Sequence, residues 1–360
     1  MFITIKHPGC HFISTLFQPN LVKQMINCAI IGYGKMGKIR AKALEETGRA
    51  RVAGVYDTER IQDNKYHVYS KDKEAIEDPN VEAVFVCTPN YRIPVLCKDA
   101  LFAGKHVFSE KPPAFNAAEV EDVITAEEDS GCKLMYGFNH RHHDSIKKIK
   151  NIVKDEELGK ILWMRGRYGK EVNESFFDGW RAKKELAGGG IMLDQGIHML
   201  DLFLHLGGEF DEIQSMVSNL YWKINGIEDN VFINLRNSKT GICGSLHSTM
   251  TQWRYLFSLE VFLEGGALIL NGLKTTSGAY GDEILSIKRN ASHTYDGSYE
   301  SEERIVYKVN NSWMSEMNHF IDCIERKEKV MIGNSLDALN VMKVMDRVYE
   351  QKELVNDKKF

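Results

Sequence analysis

The apolar positions of this chain fall into two regimes. From Asn27 to about Ser145, short β-branched and apolar runs alternate with amphipathic stretches, the pattern of βαβ units around a parallel sheet. The runs predict strands at 28–31, 52–56, 83–87, 106–109 and 133–138, with helices at 38–46, 94–103 and 117–129. Asn116 followed three residues later by Glu119 is a capping-box spacing for the last of these helices. After Ser145 the pattern changes to a helix ending at Lys154, a strand at 161–168, and a loop rich in aromatic and charged residues before Gly188. Alternating runs then follow at 231–235, 242–249, 257–263, 267–270 and 304–309 without intervening helices, which indicates a largely antiparallel open sheet. Helices at 313–326 and 335–351 close the chain, and the charged tail beyond Gln351 reads as a frayed end. The expected organisation is an extension (1–24), a doubly wound α/β domain (25–145) and a second α/β domain (146–360).

Length and composition agree with that division. A chain of 360 residues exceeds the size at which single cores usually stop growing. With 43% hydrophobic and 27% charged residues it is an ordinary globular sequence. A net charge of −4 provides no broad positive field for a nucleic-acid backbone. No apolar run reaches the roughly 18 residues of a membrane span. Lys6, His7, Pro8 and Gly9 break the N-terminal apolar patches, so that segment is not read as a signal peptide. The seven cysteines are scattered with no C-x-x-C pair, pointing to free thiols in a reducing cytoplasm rather than to disulfides or zinc.

The first chemical signal is Gly32-Tyr33-Gly34-Lys35-Met36-Gly37, set between a strand and a helix. In that context G-x-G-x-x-G marks a dinucleotide site on a Rossmann domain: a tight turn at Gly32, close approach to a pyrophosphate at Gly34, and helix-strand packing at Gly37. Asp57, twenty residues on at the end of the next strand, is placed to bind the adenosine ribose hydroxyls. Its carboxylate favours NAD over the 2′-phosphate of NADP, with Arg60 and Lys65 leaving NADP as a second candidate. Thr88, Pro89 and Asn90 end the third of these strands, at the sheet edge where such folds bind ligands.

The second signal is Glu110-Lys111-Pro112, delivered to the same edge, where a lysine ammonium beside a nicotinamide stabilises a reacting oxygen. The third is the segment from Gly188 to Asp201. Asp194, His198 and Asp201, at spacings of four and three, are expected on one helical face. That spacing also permits a metal site, set aside because no further ligand cluster is apparent and hydride transfer needs none.

Together with Gly104-Lys105-His106-Val107 and Trp180-Arg181, these pieces resemble the glucose-fructose oxidoreductase and inositol dehydrogenase superfamily, Gfo/Idh/MocA. The resemblance runs from Asn27 to Gln351. It implies hydride transfer between NAD, or NADP, and an alcohol carbon of a sugar or polyol. It also implies that Lys111 touches the reacting hydroxyl, that His198 accepts its proton, and that Asp194 binds substrate and orients the site. The second sheet is implied to build a homodimer or homotetramer. Glu110, with Lys111, joins the expected cofactor contacts, and Asp201 is expected to support the helix or His198. Tyr168, Phe177 and Trp180, with Arg181, are expected to wall the substrate. One departure is Tyr91-Arg92-Ile93-Pro94, where relatives commonly carry a histidine. In Gly137-Phe138-Asn139-His140-Arg141-His142-His143, Asn139 and Arg141 are expected at the cleft, while the three histidines read as solvated turn residues. Two rival functions remain: a glycosidase using transient redox chemistry on tightly held NAD, which shares these motifs, and a dinucleotide-binding regulator without catalysis, against which the intact Lys111, Asp194 and His198 speak.

Overall fold

The computed structural model describes residues 25–62, 65–290, 298 and 301–356, the last five as backbone only; the expected extension 1–24 lies outside the described residues. Six parallel strands form the first sheet: β1 (Ile26–Ile31), β2 (Ala50–Tyr56), β3 (His67–Val68), β4 (Ala83–Val86), β5 (His106–Ser109) and β6 (Leu134–Tyr136). Their order is β3-β2-β1-β4-β5-β6, so the direction of winding reverses between β1 and β4. That switch point is where a doubly wound sheet opens a crevice at its carboxyl edge.

Strand alternation explains how both faces are covered. On β1, Cys28 and Ile30 point to one side, joining helix α1 (Lys35–Glu46) through Ala41 and Leu44. Ala29 and Ile31 point to the other side, toward α3 (Ile93–Phe102) and α4 (Ala117–Ser130). Asn116 caps α4 as its spacing predicted, accepting from the Glu119 amide at 3.0 Å. The short α2 (Asp72–Glu77) and the two-residue β3 escaped the sequence reading because neither carries a full period of apolar positions.

Sequence pattern could not say where the late helix α8 (Ser312–Glu325) would go. Its Met317, Phe320 and Ile321 pack under the first sheet with α1. Phe320 meets Phe85 and Phe108 edge-on, each at 5.7 Å between ring centroids. Arg40 of α1 lies beneath, fully buried. It pairs with Glu110 at 2.6 Å and with Glu316 of α8, and lies 4.4 Å from the Phe108 ring centre and 4.6 Å from that of Trp313.

The second layer begins after α5 (Asp144–Lys154). Eight strands are ordered β14-β13-β12-β11-β7-β10-β9-β8. They are β7 (Ile161–Glu171), β8 (Glu212–Ser218), β9 (Asn230–Arg236), β10 (Cys243–Thr249), β11 (Thr251–Leu263), β12 (Gly266–Asn271), β13 (Glu283–Arg289) and β14 (Glu303–Tyr307). All neighbours are antiparallel except β7 and β10. Strands β8 and β13 were not expected, since both mix polar residues into both faces. After the one-turn α6 (Lys184–Ala187), helix α7 (Ile197–Gly207) and helix α9 (Ser335–Asn356), which runs past the expected frayed end at Gln351, cover one face together with α5. Gly166 lets α7 settle close: a Cβ there would lie 2.5 Å from Met199. The other face is open and carries Trp163 stacked on Phe262 at 4.0 Å and Phe232 stacked on His247 at 3.9 Å. No described helix is long and apolar enough to cross a membrane.

Removing Arg40 strands two buried carboxylates, a kind of loss that typically costs about 3–5 kcal/mol. Arg40→Ala should therefore lower the urea unfolding midpoint by a corresponding amount; a loss of under about 1 kcal/mol would show that the network is dispensable.

Candidate active site

The turn after β1 is shaped by steric exclusion. Gly32 has φ +93°, and a Cβ on it would lie 2.5 Å from the Cys87 carbonyl oxygen beyond β4. At Gly37 a Cβ would fall 2.2 Å from the Gly32 oxygen, so α1 lies against the turn only without a side chain. Gly34 is different, with open space where its Cβ would be, which is what an approaching pyrophosphate needs. The first helical hydrogen bond runs from Lys38 N to Gly34 O, and Gly34 has no side-chain cap. The preceding amides of Lys35, Met36 and Gly37 are left to meet an anion.

Other expected cofactor residues divide by location. The ring of Tyr33 is buried and meets Tyr66 edge-on at 5.9 Å, so this residue shapes the turn. Lys35 is exposed and Met36 half-buried. Half-exposed Asp57 follows β2, one oxygen accepting from the Glu59 amide at 3.0 Å. Thr88 keeps its buried hydroxyl oxygen without a hydrogen-bond partner among the described residues. Pro89 opens a short 3-10 turn, and Asn90 donates its amide to the Ala187 carbonyl at 2.8 Å, linking the first layer to the second. The open cradle at Gly34, the free first-turn amides and the unpaired Thr88 hydroxyl fit a dinucleotide. Glu110 departs from expectation, because its carboxylate is held by Arg40 in the interior.

Lys111 reaches from the end of β5 into the second layer, and its peptide bond to Pro112 is cis. Its ammonium donates to the Asp194 carbonyl at 2.6 Å and lies 3.6 Å from the Asp194 carboxylate. Asp194 belongs to a π-helical turn, Met192–Gly196, that runs into α7. The Glu228 carboxylate starts that turn by accepting from Gly190 N at 2.8 Å and Met192 N at 3.1 Å. Only glycine fits at 190, since a Cβ would sit 2.0 Å from the Glu228 carbonyl oxygen.

The wider π turn breaks the single face expected for Asp194, His198 and Asp201. Asp194 turns to three cations: Lys111, Lys170 and Arg181, whose Nε lies 3.3 Å from its Oδ1. Burial alone would raise its pKa, but Lys170, then Arg181 and Lys111, hold it well below the carboxylate range. Burial lowers Lys111 from the ordinary lysine value, with Asp194 offsetting part of the effect. Asp201, expected to support the helix or His198, instead forms a two-pronged ion pair with Arg141, at 2.9 and 2.6 Å. Burial raises Asp201 to about 6 despite that pairing. Arg141 also binds Asp337 at 2.8 Å and is 4% exposed, which corrects its expected place at the substrate. A buried guanidinium without carboxylate partners would be far too costly, and this one has two.

His198 is 5% exposed, and its Nδ1 has no partner among the described residues. Its ring stacks on His140 at 3.9 Å with an interplanar angle of 18°. Burial, then Lys111, holds His198 well below the usual histidine range, so the neutral ring prevails at neutral pH. His140 lies 3.1 Å from the Asn139 amide oxygen on one side and 3.1 Å from the Tyr168 hydroxyl on the other. The expectation of solvated histidines fails here. His140, His142 and His143 are all at most 4% exposed, because the 3-10 turn Asn139–His142 is wedged against α5, α7 and α8. Asn139, expected at the cleft, is also buried, its side-chain amide 3.5 Å from the Ser312 hydroxyl.

Tyr168 is nearly enclosed, touching Phe257 and Tyr280 as well as His140. Trp180 and Arg181 line a cleft with Asn90, Lys170, Phe176 and Asp194, while Phe177 turns outward to Trp222. Lys170 and His140 are the residues that sequence reasoning missed at this site. The signal for Lys170 was strand parity: the period of two that buries Met164, Gly166 and Tyr168 on β7 carries position 170 inward. For His140 no comparable signal existed.

Known proteins share this fold. The model of an oxidoreductase family with an NAD-binding Rossmann fold, GFO_IDH_MocA, matches residues 26–138, and that of the GFO/IDH/MocA C-terminal domain matches residues 146–269. The chain is 29% identical to the myo-inositol 2-dehydrogenase of Thermotoga maritima, over 71% of this chain and 78% of that one. Its identity to the oxidoreductase YrbE of Bacillus subtilis is 26%, over 71% and 76%. The solved levoglucosan dehydrogenase complex with NADH and levoglucosan has the same fold, with a TM-score of 0.80 at 20% identity over 91% of this chain and 97% of that one. Matched in order along one chain, the two domain models show that this protein belongs to the Gfo/Idh/MocA oxidoreductase family, whose first domain is an NAD-binding Rossmann fold.

Proposed function

We propose that this protein transfers hydride between NAD and a secondary alcohol carbon of a sugar or polyol. The observation that carries the reading is the meeting of Lys111, from the edge of the dinucleotide sheet, with Asp194, one turn before His198. The names of its relatives agree with it, myo-inositol 2-dehydrogenase among them. NAD would be held by the Gly32–Gly37 turn, Asp57 and Thr88, and once bound supplies the hydride acceptor or donor.

The chain's own groups do the rest. Lys111 stabilises negative charge on the reacting oxygen from a position already fixed by the Asp194 carbonyl. His198 takes the hydroxyl proton in oxidation, and its depressed pKa leaves the neutral ring ready to do so. Asp194 holds Lys111, Lys170 and Arg181 in register for the substrate. Trp180 and Phe176 offer ring faces to a sugar. The open face of the second sheet, with exposed Trp163 and Phe232, supports assembly into a homodimer or homotetramer. Scattered free cysteines support a cytoplasmic setting.

NADH formation should appear with NAD and at least one member of a sugar and polyol panel. Lys111→Met should lower kcat/KM by about 10²–10³-fold while leaving NADH fluorescence titrations intact. Silence across the panel from a chain that binds NADH would overturn the reading. Because burial holds His198 well below the usual histidine range, oxidation should keep its rate as pH falls to about 6.5 and should fail only on the acid side of that value. An acid limb at or above that value would remove His198 from the proton-accepting role. His198→Asn should cost about 10²–10⁴-fold in kcat/KM and abolish the acid limb.

A further inference from the structure

The strand parity of β7 brings Lys170 to the inner face beside Asp194, and the 3-10 turn Trp180–Ala182 brings Arg181 to the same carboxylate. With Lys111, three cations meet one anion. The side chains of Lys111, Lys170 and Asp194 are 15%, 12% and 18% exposed, so little water screens them, while that of Arg181, 42% exposed, stands at the open side of the cleft. The carboxylates that would balance this charge are engaged elsewhere or point away. Glu110 is bound to Arg40, and Glu228 accepts from the amides of Gly190 and Met192. Glu171, Glu174, Asp178 and Glu185, in the same stretch of chain, are exposed. Among the described residues in contact at Asp194, three cations therefore meet one carboxylate, an excess of two positive charges there, while Glu228 keeps its own charge behind Gly190.

One of those charges has a use in the proposed reaction, because Lys111 faces the oxygen that becomes negative. The other has none with a neutral sugar. Uncompensated charge in a part-closed cleft is unfavourable until an anion arrives. The seating of the two remaining cations suits such an anion. Lys170 lies 5.2 Å from the Phe176 ring centre and Arg181 lies 4.3 Å from that of Trp180, so aromatic faces support both. Arg181 approaches Asp194 through Nε, and among the described residues no acceptor meets the terminal edge of its planar fork, which is left for a second partner. A carboxylate is planar, singly charged and matched to that edge by two parallel hydrogen bonds.

We propose that the substrate is a sugar acid whose carboxylate is bound by Arg181 and Lys170. This rests on the sugar oxidoreductase reading above and narrows its substrate class. The same two cations then decide specificity, since with a neutral sugar they share the single carboxylate of Asp194 with Lys111.

The test is NAD-dependent turnover by the full chain on matched pairs, each an aldose and its uronate, for example glucose with glucuronate and galactose with galacturonate, alongside the 6-phosphates. The uronate of at least one pair should exceed its aldose in kcat/KM by about tenfold or more, mainly through KM, and lose that advantage as salt is raised. In Arg181→Met and in Lys170→Met the uronate-to-aldose ratio should drop by about 10–100-fold, the range expected for lost hydrogen bonds to a charged group. As a check that avoids turnover, glucuronate or galacturonate should raise the melting temperature of the NADH-loaded chain more than its aldose does. Turnover with the aldose equal to or above the uronate, or a preference for the phosphates, overturns the carboxylate proposal and leaves the oxidoreductase reading standing. A ratio unchanged in both variants does the same for Arg181 and Lys170 as its basis. No NADH from any sugar overturns both.

Discussion

Arg40 has no exposed surface and sits where three distant stretches of chain meet. It belongs to the helix that follows the glycine turn, it holds the carboxylate next to Lys111, and it pairs with Glu316 from a helix near the chain's end. Burial raises Glu316 to about 7, partly offset by Arg40, so its charge depends on that guanidinium. A lone buried ion of this kind is unstable in the interior, whereas a guanidinium between two carboxylates and two aromatic faces is tolerated. The dinucleotide turn, the reacting lysine and the returning helix thus share one electrostatic anchor.

From that anchor the site follows in sequence. Glu110 is drawn inward, and Lys111 projects the other way into the second layer, where it finds the Asp194 carbonyl. The carbonyl is offered by a π-helical turn, a local irregularity that often marks functional positions in helices. The same irregularity separates Asp194 from Asp201: one faces the cleft with its cations, the other faces the interior with Arg141. Two carboxylates seven residues apart thereby serve opposite ends. One organises charge for a ligand, and the other holds the 3-10 turn that positions His140 beneath His198.

Much of this was legible in the chain itself. Period-two and amphipathic patterns located five of six strands in the first sheet and six of eight in the second, because burial on one or both faces imposes them directly. The glycine turn was equally readable: Gly32 and Gly37 are demanded by close approaches that any side chain would block, and Gly34 leaves open the space that a pyrophosphate needs. Lys111, Asp194 and His198 were singled out by their positions at a strand end and along a helix, and the fold brings Lys111 and Asp194 into contact, with His198 one turn on. Local spacing carries that information because neighbours along a helix or strand are neighbours in space.

What tertiary structure alone decided was who pairs with whom across long sequence separations. Arg141 looked available for substrate until Asp201 and Asp337, sixty and more residues away, closed on it. His140, His142 and His143 looked solvated because a polar cluster after a strand usually is, and only the wedge of α5, α7 and α8 around that turn buries them. Glu110 looked like a cofactor contact until Arg40 drew it inward. The charge excess around Asp194 depends on Lys170 and Arg181 arriving from two different elements. The sequence by itself determined the elements and the residue types available for chemistry, since periodicity and steric exclusion act locally. The structure decided which charges cancel and which remain, since that depends on distances only folding creates.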